Sequence, residues 1–220
     1  MNYELINSLR LNNVMPRVFS DREKDLQSDI WLHDVEFQRG KYYLVEAASG
    51  TGKSSLCAYL IGYRHDYQGT ISFDGRDIRT LSTAEWVELR QRSLSLLFQE
   101  LRLFPELTAW ENIEVKNSLT RFKDEKTISR WFEAFGIADK KEIKCGRMSF
   151  GQQQRVAMIR ALVQPFSFLL VDEPISHLDE ANAHTMAEIM QEEARAQGAG
   201  IIVTSIGKHM EMNYDVTFTM

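Results

Sequence analysis

Apolar residues recur in this chain with two periods, and the switches between them mark out its elements. Short apolar runs rich in β-branched and aromatic residues predict strands at 30–37, 42–45, 69–73, 94–98, 166–171, 201–204 and 216–218. Helical spacing takes over between them. A helix-like stretch runs from Lys53 to about Leu60. Thr108, with Glu111 three residues on, reads as a capping box. Ile128, Trp131, Phe132 and Phe135 share one helical face that ends at Gly136. Met186, Ile189, Met190 and Ala194 share another, which runs to Gly198. Strand–helix alternation predicts an α/β fold with a mostly parallel sheet and a helical insertion within about 105–160. The Asp74-Gly75 turn adds an antiparallel β subdomain on one side. The charged run 20–29 reads as an exposed connection.

Composition narrows the class. The chain has 220 residues, 44% hydrophobic and 26% charged, which suits one globular domain over 1–220. These values exclude a disordered chain, a coiled coil and a collagen-like repeat. The charge balance is 26 − 31 = −5, so no nucleic-acid partner is expected. Cys57 and Cys145 are the only cysteines, too few for a disulfide framework or a zinc site, and they point to a reducing compartment. The opening residues lack a basic patch followed by an apolar run, and no stretch approaches about 18 consecutive apolar residues. We therefore expect a cytoplasmic chain whose link to any membrane comes through a partner. Trp31, Trp86, Trp110 and Trp131 read as packing residues. His33, His65, His177 and His184 lack the spacing of metal ligands.

Two motifs carry chemistry. The first, Ala47-Ala48-Ser49-Gly50-Thr51-Gly52-Lys53-Ser54-Ser55, lies where a strand meets a helix. Its glycines allow successive backbone N–H groups to point inward as an anion nest, and the helix N-terminus adds its dipole. Lys53 is placed to reach β and γ phosphates, and Ser54 to ligate Mg²⁺. The second motif, Asp172-Glu173, ends the apolar strand Phe168-Leu169-Leu170-Val171. Ligands of open α/β sheets bind at the carboxyl ends of strands. Asp172 is expected to hold Mg²⁺, and Glu173 to orient or deprotonate an attacking water.

The stretch Met148-Ser149-Phe150-Gly151-Gln152-Gln153-Gln154-Arg155-Val156-Ala157 resembles the L-S-G-G-Q signature of ATP-binding cassettes, the ABC transporter ATPases. Gln99 falls at that family's Q-loop, and Ser176-His177-Leu178-Asp179 matches its D-loop pattern S-x-L-D. The resemblance covers about residues 5–218. It implies a RecA-like P-loop NTPase core and head-to-tail pairing with a second cassette, with a homodimer expected. Each ATP would lie between Lys53, Ser54, Asp172 and Glu173 of one subunit and Met148, Ser149, Phe150, Gly151 and Gln152 of the other. Gln99 would ligate Mg²⁺ and help place water, and Asp179 would cross the interface. An integral membrane permease would be the other partner, with the cassette at the inner face of the membrane. The segment from Phe98 to Ile113 is similar to ATPases of lipoprotein-release, cell-division and macrolide-efflux systems. Arg102 and Phe104 in it are candidates to touch the permease. With so few residues after Val216, we expect no C-terminal regulatory domain.

Three positions depart from the family pattern. Ala47 replaces the first phosphate-loop glycine, a cost of about 1 kcal/mol if that position needs φ > 0. Phe150 replaces the first signature glycine. Ser205 stands where the switch histidine should follow Ile201-Ile202-Val203-Thr204; serine donates a hydrogen bond but is shorter and carries no charge. His209, four residues on, is not expected to take its place. Phe19 is the candidate adenine platform, with plain packing as the alternative. The expected activity is ATP hydrolysis coupled to transport, with slow turnover. The alternative is an ATP-binding regulatory or clamp module with little or no hydrolysis.

Overall fold

The structure is a computed structural model that describes residues 5–175, 178–207 and 209–220. Two sheets organise them. The first is antiparallel and built from β1 (Ser8–Pro16), β2 (Asp34–Gln38), β4 (Tyr67–Phe73) and β5 (Arg76–Asp77), in the order β2-β1-β4-β5. The second contains β3 (Tyr42–Glu46), β6 (Leu94–Leu97), β7 (Phe168–Asp172), β8 (Gly200–Ser205) and β9 (Val216–Thr219), in the order β6-β7-β8-β3-β9. Every pairing in this second sheet is parallel. The strand after each crossover therefore ends on the same side, and the carboxyl ends of β3, β6, β7 and β8 come together.

Six α-helices accompany the sheets among the described residues: α1 (Lys53–Leu60), α2 (Thr83–Arg92), α3 (Ala109–Asn117), α4 (Glu125–Ala134), α5 (Phe150–Leu162) and α6 (Glu180–Gln197). Alternate residues of the central strands feed two apolar clusters. Leu169, Val171, Ile201 and Val203 pack with α3–α6, while Phe168, Leu170 and Ile202 pack with α1, α2 and the antiparallel sheet. Strands buried on both faces read as unbroken apolar runs, and this is why β7 and β8 were legible in the sequence. Caps fix where the helices begin. Thr108 and Glu111 form the expected capping box on α3, and Ser82 with Glu85 forms another on α2. Gly198, at φ 60°, closes α6 in the left-handed conformation.

Several expectations need correction. The charged run is not a plain loop: Arg17–Asp25 forms a 3₁₀ helix. The strand expected over 30–37 is shorter, because Ile30 and Trp31 are buried in a turn before β2 begins at Asp34. Strand β1 was not anticipated. Its alternation breaks at a bulge, where the register with β4 shifts between Asn12 and Met15 and Asn13 takes φ 48°. Gly69 makes that bulge possible, since a Cβ there would lie 2.2 Å from the Asn13 carbonyl oxygen. Helix α2 also escaped the periodicity, because Trp86 is its one buried residue. Trp31, Trp86 and Trp131 are core residues, and Trp110 is partly buried against Phe132.

Candidate functional site

The loop between β3 and α1 is the foundation of the site. Gly50 and Gly52 take φ 81° and 104°, and Gly52 caps the N-terminus of α1, so the first free N–H groups of that helix face the loop. Trp31 and Phe19 lean over it. A Cβ on Gly52 would lie 3.1 Å from Trp31 Cζ2 and 3.2 Å from Phe19 Cε2, and Trp31 Nε1 donates to the Thr51 carbonyl (2.9 Å). Both close packing and left-handed backbone thus demand glycine at position 52. Thr51 Oγ1 donates to the Ala48 carbonyl (2.9 Å), which tightens the turn. Ala47 is buried and is not among the positive-φ residues; its N–H donates to the Ser205 carbonyl (3.0 Å). The left-handed penalty feared for alanine there does not arise.

Three side chains expected to share the chemistry meet at this loop. The Lys53 ammonium, almost fully buried, donates to the Ala48 carbonyl (2.9 Å) and lies 3.5 Å from Glu173 Oε1. Gln99, just past β6, donates from Nε2 to Glu173 Oε2 (3.0 Å). Its Oε1 accepts from Ser54 Oγ at 3.5 Å. Asp172, at the end of β7, is buried and accepts a hydrogen bond from Thr204 Oγ1 (2.5 Å). The hydroxyl of Ser54, the amide oxygen of Gln99 and the carboxylate of Asp172 form an all-oxygen donor set, which fits a hard cation such as Mg²⁺. A cavity of about 480 Å³ borders Ser54 and Asp172 and extends to Tyr63, Phe98 and Arg102. On its wall the Arg102 guanidinium sits 4.0 Å from the Phe98 ring centre, and Phe98 stacks on Tyr63.

Three residues at the site also carry backbone strain. Glu173 has φ 49°, and Leu101 and Arg102, just after Gln99, have φ 60° and 49°. Left-handed geometry costs an ordinary residue about 1–2 kcal/mol. It persists only where the surroundings enforce it. Arg160 of α5 donates to the carbonyls of Leu101 (2.5 Å) and Arg102 (2.7 Å), which pins the second of these turns.

The residues read as a signature lie at the start of α5. Ser149 is its N-cap; its hydroxyl accepts from the Gln152 N–H (3.3 Å), and Gln152 Oε1 accepts from the Ser149 N–H (3.0 Å). Phe150 opens the helix with its side chain 42% exposed. Met148 is buried below, and Gly151 offers its carbonyl to Arg155 Nε (3.0 Å). Asp179 caps α6, accepting from the Asn182 N–H (2.8 Å) and Nδ2 (2.7 Å). Those donors hold its carboxyl below the usual range. Ser176 and His177 of the expected D-loop, and residues 1–4, lie outside the described residues. Ser205 ends β8, buried beside the phosphate loop. His209 does not join it; its Nδ1 lies 3.3 Å from Glu46 Oε1.

Three site neighbours went unread in the sequence: Trp31 against Gly52, Thr204 on Asp172, and Gln154, whose amide donates to the Pro174 carbonyl. Two of them carried a signal: Thr204, as a hydroxyl inside an otherwise apolar strand, and Gln154, as part of the signature stretch, though its contact with Pro174 was not legible there.

The family model for ABC transporters matches residues 33–176. A bacterial Atm1-family ABC exporter with ATP bound superposes with a TM-score of 0.73 at 23% identity, over 93% of this chain and 36% of the exporter; this chain thus spans little more than a third of that one. A dimeric bacterial ABC transporter cassette gives 0.73 at 24% identity, over 90% of this chain and 87% of its own. A dimeric cassette in a post-hydrolysis state, bound to ADP and Pi, gives 0.72 at 21% identity with the same coverage. These likenesses are of fold, and the α/β core with its parallel and antiparallel sheets is that of a P-loop cassette. With the family model extending over more than half of its length, the chain belongs to the ABC transporter family.

Proposed function

We propose that the chain binds ATP with Mg²⁺, hydrolyses it slowly, and so powers a membrane transporter as one of a pair of cassettes. The observation that carries this reading is the convergence of Lys53, Gln99 and Glu173 within 3.0–3.5 Å at the carboxyl ends of parallel strands. The phosphate loop and the α1 N-terminus bind the anionic chain of the nucleotide. Lys53 exchanges Glu173 for a γ-phosphate oxygen. Ser54, Gln99 and Asp172 would hold Mg²⁺, which would supply positive charge to the phosphate chain. Glu173, released from Lys53 and aimed by Gln99, accepts a proton from water as the water oxygen bonds to the γ-phosphorus. The bond from that phosphorus to the β–γ bridging oxygen breaks, and ADP leaves with the electron pair. Phe19, with its edge against the phosphate loop, is the adenine platform.

In the pair, Ser149, Gly151 and their neighbours, at a helix N-terminus, meet the partner's γ-phosphate, and Asp179 lies at the seam. Ser205 contributes a neutral donor where the family uses a histidine, which accounts for slow turnover. The permease docks beside the Gln99 loop, where Arg102 lies over the Tyr63–Phe98 stack and Phe104 is exposed. The resemblance of this segment to lipoprotein-release, cell-division and macrolide-efflux ATPases supports a partner of that kind, and the location is then the inner face of the cytoplasmic membrane.

Phosphate release by the purified chain tests the reading. Glu173→Gln is expected to lower turnover by about 10²-fold or more while nucleotide still binds. Lys53→Ala is expected to weaken binding itself. Unchanged turnover in Glu173→Gln would overturn the mechanism. Tight ATP binding with no wild-type turnover would select the clamp reading, which Ser205 and Phe150 favour.

A further inference from the structure

Glu173 occupies a left-handed backbone conformation and is followed by Pro174, which disfavours helical geometry in the residue before it. Two bonds bracket this turn. The Glu173 N–H donates to the Thr204 carbonyl (3.2 Å), and the Pro174 carbonyl accepts from the side-chain amide of Gln154. Gln154 lies on α5, one turn after the Ser149 cap, and is 98% buried, being 2% exposed. Its amide is used on one side only: Oε1 is buried and meets no donor among the described residues. A buried amide with an unsatisfied oxygen is a poor choice for stability. A leucine would fill the same volume. The N–H bond to Pro174 is what the amide supplies and an apolar residue cannot. Beside it, Arg155 Nη1 donates to the Phe135 carbonyl (2.9 Å) and to Asn182 Oδ1 (2.9 Å), and Asn182 in turn holds Asp179.

We infer that Gln154 is a positioning residue for Glu173. Resting on the hydrolytic reading above, the inference adds to it a definite link: the helix that offers Ser149 to a partner's nucleotide also sets, through Gln154, the carboxylate that acts on its own. The bond fixes the direction of the carbonyl that follows Glu173, and thereby where the Glu173 carboxylate points relative to Lys53 and Gln99. Gln154 touches no reacting atom in this scheme. Its loss should therefore appear in turnover and not in nucleotide binding.

The test compares wild type, Gln154→Leu and Gln154→Glu by phosphate release, by binding of a fluorescent ATP analogue, and by thermal denaturation. Gln154→Leu is expected to lower kcat by about tenfold to a hundredfold, with KM and analogue affinity within about twofold, because a displacement near 1 Å of a reacting group has an effect of that order. Its melting temperature should stay within a few degrees or rise, since the orphaned oxygen leaves with the amide. Gln154→Glu gives a further readout. Its ionised carboxylate repels the Pro174 carbonyl, whereas the protonated form can donate to it, so its kcat relative to that of Gln154→Leu should rise as pH falls. An active wild type with kcat unchanged in Gln154→Leu overturns the inference alone. So does a loss of analogue affinity or of stability that matches the loss of kcat, since that marks a merely structural role. A wild type without turnover overturns the hydrolytic reading, and this inference with it.

Discussion

In the proposed mechanism, single side chains set the rate of turnover. Ser205 lies at the end of β8, and its carbonyl is bonded to the first residue of the phosphate loop. Lengthening it to a histidine would restore the reach of a ring N–H donor. Ser205→His is therefore expected to raise kcat several-fold, measured by steady-state phosphate release; an equal or lower rate would show that the histidine has no place to act here. Ala47 carries no left-handed strain, so Ala47→Gly is expected to change ATP affinity by less than about twofold in a titration with a fluorescent analogue. A large gain would mean that contact with the nucleotide, not backbone strain, sets the preference at that position.

Helices carry the next group of effects. Lys116 reaches from α3 to Ser95 on β6, its ammonium donating to Oγ (3.2 Å), while that hydroxyl donates to the Ala161 carbonyl (2.6 Å). Burial, with the Arg160 guanidinium nearby as the smaller cause, pushes the Lys116 amine down to about 7. Below pH 7 folded and unfolded chains both hold the proton, and the folded state bears the full cost of a buried charge. Between about 7 and the ordinary value of 10.5 only the unfolded chain holds it, so this group adds stability as pH rises through that window. Lys116→Met should raise the melting temperature most at pH 6–7 and least near pH 10. A uniform shift at all pH values would remove the amine as the cause. At the end of α6, Gly198 sits at φ 60°, and Gly198→Ala is expected to cost about 1 kcal/mol in denaturant unfolding.

Across the whole molecule, α5 is the common support. Its first residues face outward with Ser149 and Phe150, Gln154 holds the turn after Glu173, and Arg160 holds the turn after Gln99. In the proposed pair, nucleotide bridges two such surfaces. Slowing hydrolysis with Glu173→Gln should then let ATP, but not ADP, drive the chain from monomer to dimer in light scattering. Phe150→Gly in that background should strengthen the ATP-driven dimer. A monomer at all ATP concentrations would point to a different partner cassette.

The amino-acid sequence by itself determined the elements whose signals are local. Apolar runs buried on both faces marked β3, β7 and β8; glycines with Lys53 and Ser54 marked the phosphate loop; Thr108 with Glu111 marked the start of α3. Each depends on a few neighbouring residues, so spacing suffices. Tertiary structure decided what needs distant partners. Strand β1 owes its bulge to Gly69 on another strand, and Trp31 gains its place over Gly52 only when the two sheets pack. The strained turn of Glu173 is held by Thr204 from β8 and by Gln154 from α5, both remote in sequence. A left-handed glutamate before proline is unfavourable alone, and only contacts made after folding can hold it in place.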